Sequence, residues 1–188
     1  MSQKQNIDNS IWSVSRIDGF DRSKMLILGG VGILFGLGLI ALSYDQLVDV
    51  VPAISGTGDR LAFALPWLCI PLLSLQAGMM AIAAGRLVSK YVDGSPPPSG
   101  TSLDIHRRFI TNTVEQLAIY IPTQIALVTL LPDDRLAVIP VWAVLFLVAR
   151  ITFWVGYMTN PVYRSIGFLM TAAPNMFALF YIVYRLAV

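Results

Sequence analysis

Arg108, Asn112 and Glu115 are spaced i, i+4 and i+7, which puts a guanidinium, an amide and a carboxylate on one stripe of a helix. A second set, Arg150, Phe153, Trp154 and Tyr157, makes a matching stripe further along. Arg164 follows Tyr157 by seven positions, and Arg86 stands upstream of both sets. Arginine forks grip carboxylates bidentately, so an anionic, peptide-like or phosphate-bearing ligand is their natural guest. Each arginine alone could also anchor a lipid headgroup; sharing stripes is what argues for a site. Metal chemistry has no support, because the single histidine, His106, cannot build a cage alone. The one cysteine, Cys69, has no intrachain partner for a disulfide.

The elements that must carry these residues follow from composition. Of 188 residues, 56% are apolar and only 13% charged, against about 25% charged in soluble domains. Mean hydropathy is +0.69. A soluble chain this apolar could not cover its surface with polar groups. Disorder, collagen and a disulfide scaffold are excluded by the same figures, and a net charge of +2 gives no nucleic-acid footprint. The chain therefore reads as an all-α integral membrane protein. Its lipid bilayer is the first partner, and nucleic acid is not expected.

Five stretches suit a bilayer crossing, which takes about 20 residues: 25–43, 61–85, 109–131, 136–157 and 165–184. The intervening segments carry turn chemistry, and the Pro/Gly/Ser run at 94–100 is expected to form a mobile, non-helical loop. A signal peptide is the rival reading of the first stretch. Its leading region, with three aspartates and no small-x-small cleavage site behind it, favours a retained helix. Nine of the thirteen Lys and Arg fall on one side if the N-terminal tail is cytoplasmic, among them Lys4, Arg16, Arg86, Arg107, Arg108 and Arg164. Arg60, Arg135 and Arg185 fall on the other, and Arg150 lies within a span. That bias predicts an N-in, C-out topology.

Ionisable groups inside a membrane are costly and need a reason. Glu115 lies seven residues past Arg108, roughly 10 Å into its span, and Arg150 lies seven before Tyr157, at a similar depth. The two are expected to meet on neighbouring helices. The pair could lock the bundle, or it could floor a polar site open to the cytoplasm. In the first span, Gly32 and Gly36 form a small-xxx-small pair that could seat a neighbouring helix, or could reflect the usual glycine content of membrane helices.

Three of these motifs carry a family resemblance. Arg108-x-x-x-Asn112-x-x-Glu115 resembles the second-helix signature of the MAPEG family, membrane-associated proteins in eicosanoid and glutathione metabolism. The run from Ala149 to Tyr157 is similar to that family's third-helix pattern, A-R-x-x-Y-x-x-G-Y. Arg164, shortly before Gly167-Phe168, matches the arginine that begins its last helix, and Ser95-Pro96-Pro97 resembles its cytoplasmic loop. The resemblance implies a four-helix transmembrane domain over 61–188, with spans at about 61–87, 106–131, 135–158 and 164–186. Before it stand a cytoplasmic tail at 1–24 and an extra N-terminal transmembrane helix at 25–44, with no counterpart in the family.

What the resemblance implies for function is a glutathione-dependent transferase or peroxidase acting on lipophilic electrophiles. Glutathione would be the co-substrate, bound at the subunit interfaces of a homotrimer near the cytoplasmic face. Arg108, Asn112, Glu115, Arg150 and Tyr157 form the implied binding set, with Arg86 standing where the family has a basic residue ending its first helix. Arg164 would hold the thiolate as the catalytic residue. The sequence departs from the family pattern at Phe153, Gln116 and Ala118. Of these, Phe153 and Gln116 favour the alternative, a catalytically silent membrane scaffold or lipid-binding protein. A transporter is the weakest reading, since no inverted repeat is visible. Short linkers and the lack of an evident targeting peptide point to a bacterial inner membrane.

Overall fold

The computed structural model describes residues 22–47, 51, 54 and 56–187. Lys4, Arg16 and the rest of the tail before residue 22 lie outside them, as do parts of the first loop. The helices are α1 (Arg22–Gln46), α2 (Thr57–Leu68), α3 (Leu72–Leu87), α4 (Ser102–Leu130), α5 (Val138–Thr159) and α6 (Arg164–Ala187). No strand occurs among the described residues. The fold is the expected all-α membrane bundle.

Among the described residues, four stretches are long and apolar enough to cross a membrane: Arg22–Gln46, Thr57–Leu87, Asp133–Thr159 and Arg164–Ala187. α4, expected as a fifth, has 29 residues but falls short of that apolarity. The reason is visible in its packing. Thr113, Gln116, Thr123 and Gln124 are buried in the bundle that α4 forms with α2, α3, α5 and α6, while Arg107, Arg108 and Glu115 stay exposed.

The expected continuous span at 61–87 is divided. α2 ends at Leu68, and α3 starts at Leu72. Pro71 has no N–H to give the Trp67 carbonyl, which accepts from Ile70 N at 3.1 Å instead. Cys69 N likewise turns to the Pro66 carbonyl at 3.2 Å, tightening the chain before α3 resumes.

Both ends of α4 are capped. Thr101 accepts from Asp104 N through its side-chain oxygen at 3.3 Å. At the other end, Arg60 of α2 donates to the carbonyls of Val128 (3.1 Å) and Leu131 (2.7 Å) and pairs with Asp133. A cation there satisfies orphan carbonyls and meets the negative end of the helix dipole. Arg60, expected only as a charge on the side opposite the cytoplasm, therefore ties α2 to α4.

The apolar core lies towards that end, where Tyr120, Val128, Leu136, Ile139 and Phe146 are all but fully buried. A smaller cluster of Phe109, Phe153 and Tyr157 lies towards the other end, next to the cavity described below. α6 runs against α5 and α1. Gly167 is required where α6 crosses α5, because a Cβ there would stand 2.7 Å from Phe153 Cα. α1 meets α6 through glycines as well. A Cβ on Gly36 would stand 2.8 Å from the Met170 carbonyl oxygen, and one on Gly32 would collide with that of Ile166. Of the two readings of Gly32 and Gly36, close helix packing is the observed one.

Candidate functional site

A cavity of about 650 Å³ opens among the starts of α1, α4 and α6 and the end of α5. Its polar lining includes Arg108, Asn112, Glu115, Tyr157 and Arg164. Three helices thus deliver five of the seven expected site residues to one chamber. α4 presents Arg108, Asn112 and Glu115 because helical spacing aligns them. α5 ends by bringing Tyr157 to the rim.

Arg164 follows a tight turn. Asn160 accepts from Val162 N through its side chain at 2.9 Å, and its carbonyl accepts from Tyr163 N at 2.9 Å. That turn delivers Arg164 as the first residue of α6, with its guanidinium carbon 4.8 Å from the centre of the Tyr157 ring. The contact fixes a cation on an aromatic face at the positive end of a helix.

Arg150 sits beneath this chamber with 0% exposure. The expected meeting with Glu115 is not what forms. Arg150 Nη1 donates to Asn112 Oδ1 at 2.7 Å, and Nη2 donates to the Gly167 carbonyl at 3.2 Å. Asn112 in turn donates from Nδ2 to Glu115 Oε2 at 3.3 Å. The amide relays between the two charges because Glu115 lies on the outer, exposed side of α4 while Arg150 lies inside. Phe153 supports the guanidinium, its ring centre 4.6 Å from Arg150 Cζ. Phe153 offers no hydrogen bond, yet it supplies an aromatic face to a desolvated cation.

Several expectations are placed differently. Arg86 does not line the cavity; its Nη2 donates to the Gly94 carbonyl at 3.4 Å, so it holds the loop after α3. Trp154 turns away from the chamber, stacks on Phe109 at 4.6 Å, and donates to His106 Nδ1 at 3.0 Å. That bond gives His106 a packing role. Gln116 is buried inside the bundle, and Ala118 is exposed, so neither departure lies in the cavity lining.

The structure adds residues not singled out for the site in the sequence. Asp104 and Arg107 line the same cavity. Asp104 Oδ2 accepts from Arg108 Nε at 2.9 Å and from Gly100 N at 3.0 Å, which orients the Arg108 guanidinium. Burial pushes the Asp104 carboxyl up, but those two donors more than offset it and hold it below the usual carboxylate value. The signal was legible: Asp104 and Arg108 stand at i, i+4, and Thr101-x-x-Asp104 reads as a helix start. Met25 and Leu26 of α1 also reach this cavity, together with Phe168 and Leu169 of α6.

Comparison with known proteins agrees with the motifs. The family model described as "MAPEG family" matches residues 61–184. Transmembrane protein 79 of Mus musculus is 27% identical over 146 residues, covering 78% of this chain and 37% of that protein. Transmembrane protein 79 of Bos taurus is 27% identical over 86 residues, covering 46% of this chain and 22% of its own. The chain thus spans well under half the length of these curated relatives. No solved structure matches.

Proposed function

The chain belongs to the MAPEG family, and from that premise we propose that it is a glutathione-dependent membrane transferase or peroxidase acting on lipophilic electrophiles. The observation that carries this reading is the convergence of Arg108, Asn112, Glu115, Tyr157 and Arg164 on one cavity. Their chemistry suits the tripeptide, which has two carboxylates, an ammonium group and a thiol. Arg108, oriented by Asp104, and Arg107 would take carboxylates; Glu115 would take the ammonium group. Asn112, held by Arg150, would bond the peptide backbone, and Tyr157 would close the rim.

Arg164 is the residue proposed to do chemistry. A free thiol has a pKa near 8.5 and is mostly protonated at neutral pH; an adjacent guanidinium lowers it toward the thiolate. The positive end of the α6 dipole adds to the same field. The thiolate then supplies the nucleophile for an electrophilic carbon, whose leaving group departs with the bonding pair.

The proposal includes a homotrimer with the cavity at the cytoplasmic face, in the N-in topology that the Lys and Arg bias favours. Glu115 supports an oligomer. It is exposed on a single bundle at a depth where an uncovered carboxylate is costly, so a neighbouring subunit is a natural cover. Short linkers support a bacterial inner membrane as the location, which fractionation of expressing cells would test.

A second reading is a silent scaffold or lipid-binding protein, favoured by Phe153, which cannot hydrogen-bond a polar ligand. One experiment separates the two. Purified full-length protein should conjugate glutathione to chlorodinitrobenzene, and Arg164→Ala should lower the rate by about a hundredfold with oligomer mass unchanged. A wild type that turns over no electrophile and binds phospholipid between its subunits would favour the scaffold.

A further inference from the structure

α1 lies outside the residues that match the family model, since α1 covers Arg22–Gln46 and the match begins at residue 61. Nevertheless its first turns reach the cavity. Met25, half-buried, and Leu26, 72% exposed, form part of the lining. The register that puts them there is fixed along α6. Gly29 sits against the Leu169 side chain, Gly32 against the Ile166 carbonyl and Gly36 against that of Met170. The far end of α1 is held too, because Arg135 donates to the Tyr44 carbonyl and lies over the Tyr44 ring at 4.8 Å. α1 is therefore a fixed wall.

The cavity has two chemical halves. Arg107, Arg108 and Glu115 of α4 make a charged side, and Met25, Leu26, Phe168 and Leu169 make an apolar one. Arg164 belongs to the same α6 turn as the apolar side begins from. A tripeptide with three ionic groups has use for the charged half only. We propose that Met25 and Leu26 form the specificity wall for the second substrate, taking the alkyl portion of the lipophilic electrophile. This rests on the glutathione-dependent reading above and adds a determinant that lies outside the family-matched region.

The test uses the full chain with two probes, chlorodinitrobenzene and the same ring bearing an octyl chain. Glutathione sulfur bonds to the ring carbon that carries chlorine, chloride leaves with the bonding pair, and the thiol proton passes to water. In the Met25→Ser, Leu26→Ser double variant, KM for the octyl probe should rise about tenfold, as expected for lost apolar contact. The KM for the bare ring, kcat for both probes and the glutathione Kd should stay within about twofold. Ile27→Ser, one position away and outside the lining, should leave all of these unchanged. Equal shifts for both probes, or none, would overturn the wall.

A third titration separates this inference from the function it rests on. Octyldinitrobenzene without chlorine cannot react, so calorimetry reads its binding alone. If wild type fails to bind glutathione, the transferase reading fails. The wall is then judged by this probe alone: weaker binding to the double variant sustains it, and equal binding overturns it.

Discussion

Arg150 illustrates how a membrane bundle tolerates a buried cation. Its guanidinium has an amide oxygen, a backbone carbonyl and an aromatic face, but no carboxylate of the described residues in contact. Asn112→Ala removes the amide and leaves a charged donor unsatisfied, which should cost about 2 kcal/mol or more; thermal unfolding in detergent would measure it. Glu115→Gln should cost far less, since that carboxylate is exposed and, among the described residues, bonded only through Asn112. That both charges stand at one level of the bundle was legible in the sequence, but their separation was not. Which side of a helix faces a neighbour is decided by packing, and here Gly167 brings α6 close enough to offer its carbonyl to Arg150. Asp104 gives a pH prediction. Its carboxyl is depressed in the folded protein, so its stabilising contribution is present above its ordinary value and lost as pH falls through the folded one. Asp104→Asn should therefore lower stability at neutral pH. The gap to wild type should close as pH drops below about 4.

At the scale of elements, the helix ends and crossings carry the sharpest expectations. Gly30 and Gly38 have open space where a Cβ would go, whereas Gly32 and Gly36 face the α6 backbone. Gly30→Ala should be neutral or stabilising by up to about 1 kcal/mol through helix propensity. Gly32→Ala should push α1 off α6 and lower the unfolding temperature. The reverse order of these two variants would refute the packing of α1. Arg60→Gln should destabilise the end of α4, by about 1–3 kcal/mol, because two carbonyls and Asp133 lose a charged partner. The expected helix positions survive in the fold since long apolar runs leave little choice. The break at Cys69–Pro71 was signalled only by Pro66 and Pro71, and proline is tolerated in membrane helices often enough that neither dictates a break. α4 stands where the sequence places a helix, and its buried amides and hydroxyls lower its hydropathy without moving it from the centre of the bundle.

For the whole molecule, the family domain and the added α1 form one bundle, with the cavity drawing on both. Scarce charge is concentrated there: Arg107, Arg108, Glu115, Asp104 and Arg164 line one chamber in a chain with 13% charged residues. That concentration is what the glutathione reading rests on, and a binding titration reaches it directly. Calorimetry of glutathione against the full-length protein in detergent should give saturable binding, lost in Arg108→Ala and retained in Arg86→Ala, whose guanidinium is occupied with the Gly94 loop. No heat of binding with wild type, or equal binding by wild type and Arg108→Ala, would contradict the assignment of this cavity.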